Sequence, residues 1–353
     1  MPPKKPKGKK KRTIKGLALG TALYASAVTG VNHLPSTSTA HKPKHGTTTT
    51  VAGKLEIHVL DVGQGDAIFI RCPDGTHDML IDSGDTRYPN SSANFKKEIQ
   101  ALLSAGSTIT YALATHPHND HIGNMKWVLQ NYKVQTYIDN GFEYDSQLYS
   151  NLMVAVTAFG SGISYHSEQE GSDPPVIDLG TSVQARILRP AGFQDETGDP
   201  NSRSVVIRLD YGKNSFLFVG DCEATEETLL ETDPNTKKYL DVDFLKVGHH
   251  GSDTSSSVPF LNMVTPKIAV ISCGAKGVGT NNGYKHPRAI TLQDLEKLVQ
   301  PRQGSPVTID DFNASTRGWE SFILDRAIYE TNAQGELDFE SDGKTITLEP
   351  KNN

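Results

Sequence analysis

The chain has 353 residues, 36% hydrophobic and 22% charged, with 31 Gly and 19 Pro. That is room for one large domain or two ordinary ones, and it excludes coiled-coil, collagen-like and wholly disordered classes. Charge is divided unevenly: residues 1–50 hold ten Lys and Arg and no acid, whereas the remaining 303 hold 25 basic and 41 acidic side chains, and a body at net −16 argues against a broad duplex-DNA surface.

Met1 to Arg12 is rich in Lys and Pro, and Gly16 to Val31 is an apolar run without a charge. The run ends in small residues, with Ala25-Ser26-Ala27 fitting an A-x-A cleavage site. Residues 1–31 therefore read as a signal peptide, with a retained membrane anchor through residues 16–31 as the alternative, although the run is short for a spanning helix. Residues 32–53 read as a Ser/Thr-rich linker in which His33, His41 and His45 are solvated. The folded part, residues 54–350, alternates strands with helices. Strands are expected at Leu55–Leu60, Ala67–Ile70, Met79–Ile81, Ile109–Ala114 and Val134–Ile138, with helices at Phe95–Leu103, Met125–Asn131 and Gln147–Ala158. Further strands are expected at Val183–Leu188, Ser204–Leu209, Phe216–Val219, Val242–Val247 and Ile268–Ser272. Helices are expected at Glu223–Glu231, Val258–Met263 and Ile290–Val299, and four short strands close the chain beyond Pro301. This interleaving suggests one large domain of sheets covered by helices.

Polar clusters stand where the apolar strands stop, the usual place for ligands in layered folds. The densest is Thr115-His116-Pro117-His118-Asn119-Asp120-His121. Three imidazoles and a carboxylate can converge on one or two transition metals, and this donor set suits Zn2+, Mn2+ or Fe2+. The cysteines, Cys72, Cys222 and Cys273, lie outside that cluster and are too few for a disulfide framework.

The chain is similar to the metallo-β-lactamase fold superfamily through His116-x-His118-x-Asp120-His121. Within it the chain resembles the hydrolase domain of ComEC-type competence proteins and their secreted free-standing relatives. The supporting motifs are Leu60–Ile70, Leu80–Asp85, Asn201–Gly212, Phe216–Glu223, Phe244–Ser252, Asn281–Pro287 and Tyr329–Lys344. The resemblance implies a four-layer αββα sandwich with one or two divalent ions, Zn2+ first and Mn2+ as the alternative. It implies His116 and His118 as ligands of a first ion, Asp120 and His121 as ligands of a second, and Asp221 as a bridge. One of His249 and His250 matches the last ligand, and Asp82 matches a residue that orients the site. The family's further His is missing, and Asn201 stands in its place.

The implied activity is that of an exported hydrolase acting through a metal-acidified water, with Asp120 aligning the water and taking its proton. The spare member of His249 and His250, or His286, can protonate the leaving group or steady charge. The motifs favour a phosphodiester, either small or nucleic-acid, and no obligate protein partner is evident. A lactonase- or β-lactamase-type carbonyl hydrolase is the alternative, followed by a non-catalytic binding module. Gln64 and Asp66 are expected chiefly as turn residues that also face the site. Asp85 reads as a loop carboxylate, and Ser252 and Asp253 as helix caps. His58 and His77 read as structurally satisfied, Cys222 as a small packed residue, and Glu226 and Glu227 as a solvated helix face.

Overall fold

The computed structural model describes residues 53–158, 164–167, 176–180, 182–190 and 199–350. The expected signal segment and nearly all of the linker lie outside the described residues. Among the described residues no helix is long and apolar enough to cross a membrane.

Six strands come first: β1 (Leu55–Val59), β2 (Ile68–Arg71), β3 (Asp78–Ile81), β4 (Thr108–Leu113), β5 (Lys133–Asp139) and β6 (Ser164–Ser167). β1 to β3 pair antiparallel, and β3 to β6 run parallel. A second sheet follows from β7 (Val176–Asp178), β8 (Val183–Leu188), β9 (Val206–Tyr211), β10 (Asn214–Phe218), β11 (Phe244–Lys246) and β12 (Ile268–Ile271). After a hairpin of β13 (Val307–Asn313) and β14 (Gly318–Leu324), β15 (Ile328–Glu330) rejoins the second sheet beside β12. β16 (Leu337–Ser341) and β17 (Ile346–Leu348) return to the first sheet beside β1. The orders are β17-β16-β1-β2-β3-β4-β5-β6 and β15-β12-β11-β10-β9-β8-β7.

Apolar residues fill three layers between these elements. Leu55, Ile57, Ile68 and Ile70 of the first sheet share one cluster with Ile207, Leu209, Phe216 and Phe244 of the second. Phe244 meets Phe339 edge-on at 5.1 Å, a geometry that adds about 0.5–1.5 kcal/mol beyond area burial. On the first sheet's other face, Phe95, Val128, Leu129 and Leu152 from helices Pro89–Leu102, Met125–Asn131 and Gln147–Ala158 cover Phe69, Leu80, Ala112 and Tyr137. On the second sheet's other face, Leu230, Phe260, Leu261 and Leu292 from helices Ala224–Thr232, Val258–Val264 and Ala289–Glu296 cover Leu217, Leu245 and Ala269. The architecture is the four-layer αββα sandwich. Parallel strands β11 and β12 are covered on both faces, so their sequences are buried throughout instead of alternating.

Several elements differ from the sequence reading. The helix expected from Phe95 starts at Pro89, because its first turn is polar and carries no apolar period. β13 escaped notice because it carries Asp310 and Asp311 in mid-strand, and Asp311 is buried. Glu226 and Glu227 are not a solvated face, since both are buried. Glu227 accepts the N–H groups of Ser256 and Ser257, the second at 3.0 Å, where the chain enters helix Val258–Val264. Burial pushes the Glu226 carboxyl well above its ordinary range, with its hydrogen bond to Cys222 opposing. That helix is capped by Ser257, which accepts from Phe260 N at 3.4 Å, and not by Ser252 or Asp253.

Candidate metal centre

Loops that follow several strands build the site, and three of them show how it is held. The first follows β1, where Asp66 N donates to Asp120 O at 3.1 Å. Gly65 makes that approach feasible: its φ is +143°, and a Cβ there would stand 2.4 Å from the Asp120 carbonyl oxygen. Gly65→Ala is therefore expected to cost roughly 2 kcal/mol or more, read as a lowered midpoint in urea unfolding. An unchanged midpoint would contradict this packing. The second loop follows β4, and its short helix Asn119–Ile122 begins with the His121 and Ile122 N–H groups on the His118 carbonyl. The third carries Asp221 after β10, where Gly220 (φ +54°) lies so close to Thr115 that a Cβ would stand 2.8 Å from its side chain.

Asp82 directly follows β3 with φ 59°, an uncommon conformation for a residue with a Cβ. Its carboxylate accepts Thr115 N at 2.8 Å, Thr115 Oγ1 at 2.7 Å and His121 Nδ1 at 2.8 Å. The other histidines are anchored in the same manner. His116 Nδ1 meets Thr115 Oγ1 at 3.2 Å, His250 Nδ1 donates to Ser272 O at 2.9 Å, and His249 Nδ1 donates to Glu223 Oε1 at 3.1 Å. With Nδ1 occupied, each ring turns Nε2 inward, toward Asp221. His121 Nε2 and His250 Nε2 lie 3.3 and 3.4 Å from Asp221 Oδ1. His116 Nε2 and His249 Nε2 lie 3.8 and 3.7 Å from its Oδ2. His118 differs, for its Nδ1 faces inward, 3.0 Å from His116 Nε2.

The residues fit a divalent ion on two observations. Among the described residues, buried atoms His121 Nε2, His250 Nε2, Asp221 Oδ1 and Asn201 Oδ1 have no hydrogen-bond partner, although buried polar atoms ordinarily find one. Candidate ligand atoms also converge within 4.8 Å in several sets, including His116 with His121 and Asp221, and Asp120 with His121 and His250. Electrostatics agree. Burial pulls the His250 imidazole down, but Asp221 and Asp66 outweigh it and hold the ring at about 10. His121 also stands well above its ordinary value, as the Asp221 and Asp82 carboxylates overcome burial. Protons are thus drawn to the positions a cation would take. His116 is pushed well below its ordinary value by burial and by neighbouring His121.

The ligand and catalytic candidates expected from the sequence lie together here. Asn201 begins a short 3-10 turn, Asn201–Arg203, and lines the same cavity as His118, Asp120, Asp221, His249, His250 and His286. Of the two adjacent histidines, His250 is buried and converges with Asp120 and His121, whereas His249 is half-buried. His286 is pushed down to about 2 by burial and by nearby His250 and His249. Asp66 does more than turn the chain: its Oδ2 pairs with buried Lys246 Nζ at 2.8 Å, and its Oδ1 lies 3.2 Å from His250 Nδ1. Asp85 is buried and pairs with Arg87 at 2.6 Å. His58 and His77 are satisfied by Asp338 and Asp74 at 2.5 and 2.6 Å, and Cys222 is a buried free thiol. Sequence reasoning missed Glu223 and Lys246, and also Arg87, Tyr144 and Arg288, which line the cavity. Glu223, two positions after Asp221, was the one within reach of a motif argument.

Residues 60–275 match the metallo-beta-lactamase superfamily. ComE operon protein 3 of Bacillus subtilis is 31% identical over 258 residues, 69% of this chain and 30% of that protein. Recombination protein 2 of Haemophilus influenzae is 28% identical over 253 residues, 72% of this chain and 28% of that protein. Competence protein ComA of Neisseria gonorrhoeae is 29% identical over 232 residues, 65% of this chain and 28% of that protein. The chain thus spans less than a third of the length of these relatives. With the family matched over more than half of its length, and the sandwich and its histidine–aspartate cluster in place, the chain belongs to the metallo-β-lactamase superfamily.

Proposed function

We propose that this protein is an exported, metal-dependent phosphodiesterase. The observation that carries the reading is a cavity of about 470 Å3 above the inward-facing imidazoles, with Arg87 and Arg288 in its walls. Each guanidinium also faces a carboxylate, Arg87 that of Asp85 at 2.6 Å and Arg288 that of Asp253 at 3.5 Å, and their fork-shaped donors suit the paired oxygens of a phosphodiester anion in a body at net −16. The relatives' names speak of competence and recombination, which is compatible with a nucleic-acid diester as well as a small one.

In this reading Asp120, His121 and His250 would hold one ion, and His116, His118 and Asn201 would hold another. Asp221 stands between the two groups, its Oδ1 facing His121 and His250 and its Oδ2 facing His116, and would serve both ions. A divalent ion so placed, Zn2+ or Mn2+, supplies a Lewis acid for the phosphoryl oxygen and lowers the pKa of water. Asp82 fixes the His121 ring, and Asp66 does the same for His250. Asp120 orients the attacking water and takes its proton. Arg87 Nη2, 3.8 Å from Asp120 Oδ1, meets the substrate charge at the mouth, and His286 faces the reacting group across the cavity.

Incubating the full chain, loaded with Zn2+ or Mn2+, with bis-p-nitrophenyl phosphate tests this. Turnover that needs the cation and falls at least about 100-fold in Asp120→Ala is the expected outcome. Hydrolysis of lactones or lactams with no diester cleavage would overturn it. Export is tested by N-terminal sequencing of the protein in its source cells. A chain beginning just after Ala27 outside the cytoplasm supports the reading, as does an intact chain held at the outer membrane surface by residues 16–31. An intact chain in the cytoplasm sinks it.

A further inference from the structure

Gln64 is gripped from two sides. Its Oε1 accepts the Gly274 N–H at 3.0 Å, and its Nε2 lies 3.3 Å from His286 Nδ1. A backbone N–H can only donate, so the amide oxygen faces Gly274 and the NH2 faces the imidazole. An amide NH2 has no lone pair to offer. His286 Nδ1 is therefore the acceptor, and the ring's single proton sits on Nε2.

Neighbouring residues leave neither partner free to turn. Asn281 Nδ2 donates to the carbonyls of Gly274 and His286 at 2.6 and 2.7 Å, and its Oδ1 accepts His286 N at 2.7 Å. Gly274 lies against Gln64, since a Cβ there would stand 2.8 Å from Gln64 N. The His286 ring stacks on Tyr284 at 6.0 Å and meets His249 edge-on at 5.3 Å. Among the described residues no hydrogen bond reaches its Nε2, and the ring lines the cavity that Gln64 also lines.

We propose that Gln64 is a positioning residue that fixes His286 as a neutral Nε2–H donor to the charged phosphoryl or leaving oxygen of the diester. The assignment rests on the diesterase reading above and changes the role expected of His286. A neutral imidazole N–H is far too weak an acid to give up its proton, so His286 stabilises developing charge by a hydrogen bond and transfers no proton. Proton supply to the leaving group must then come from elsewhere.

The test begins with 15N-edited histidine spectra of the full chain loaded with Zn2+, the His286 signals being assigned by their loss in His286→Gln. The wild type is expected to show Nε2 protonated and Nδ1 bare at pH 7. Gln64→Glu, whose carboxylate can only accept, is expected to move a proton to Nδ1. A wild-type ring protonated at Nδ1 overturns the assignment. The second arm is turnover of bis-p-nitrophenyl phosphate. His286→Gln, which keeps an N–H donor, is expected to stay within about 10-fold of wild type, whereas His286→Leu loses about 100- to 1,000-fold in kcat with KM little changed. Equal losses in the two variants contradict the donor role. If wild type shows no turnover, the diesterase reading fails by itself, and the spectra still decide the tautomer for or against Gln64.

Discussion

Asp221→Asn is expected to abolish tight binding of Zn2+ or Mn2+, measured by isothermal titration, while Asp82→Asn weakens it only about 10- to 100-fold. The two carboxylates are both buried, and the difference lies in what they face. Asp82 grips the outer nitrogen of His121, so its loss loosens one ring. Asp221 presents one oxygen to His121 and His250 and the other to His116 and His249, so its charge serves the whole cluster. The sign of the pH dependence follows from the same groups. His250 keeps its proton up to about 10, and His121 is likewise raised, so a cation must displace protons to reach their Nε2 atoms. Affinity therefore falls as pH falls below about 10. In Asp221→Asn the carboxylate contributing most to holding those protons is gone, and the residual pH dependence is expected to be shallower. An Asp221→Asn chain with wild-type affinity would contradict the placement of this residue.

Glu330→Gln is expected to stabilise the protein increasingly as pH rises. Glu330 ends β15 fully buried, its Oε2 accepting from Asn332 Nδ2 at 3.3 Å and its Oε1 unpartnered among the described residues. Burial, and then repulsion from Asp311, raise its carboxyl from 4.5 to about 8. The folded state thus holds a proton that the unfolded chain releases near 4.5. For such a group stability is fully present below the unfolded value and declines until the folded value is passed. The integrated decline from 4.5 to about 8 is roughly 4–5 kcal/mol at most. Glutamine keeps the amide contact and cannot ionise, so the variant lacks this decline. Urea unfolding at pH 5 and pH 9 reads the difference: the curves should nearly coincide at pH 5 and separate at pH 9. Equal separation at both pH values sinks the assignment.

The layered fold was legible because its strands are short apolar runs ending at turn residues, and Met125–Asn131, Gln147–Ala158 and Val183–Leu188 were placed to the residue. What escaped notice broke the apolar pattern for a structural reason. Asp311 is buried within a strand, where its charge repels Glu330, and Glu227 is buried because it takes backbone N–H groups from Ser256 and Ser257. Site candidates were legible for a different reason. Imidazoles and carboxylates at strand ends are dense in the chain itself, and the motif order supplied Asn201 and Asp221. Partners that fix ring orientation come from distant segments, as Lys246 does for Asp66 and Ser272 for His250, and no local pattern announces them. The choice between His249 and His250 was of this kind. Only folding places the second imidazole beside Asp120 and His121 and the first beside Glu223 and Thr254.

The most direct measurement is the metal content of the full chain after equilibration with Zn2+ or Mn2+ and exhaustive dialysis, by mass spectrometry beside Asp221→Asn. About two equivalents are expected on the wild type, as two donor groups sharing one carboxylate can hold, and close to none on the variant. A wild-type chain that retains no more cation than Asp221→Asn would contradict the claim that these histidines and aspartates form a metal centre.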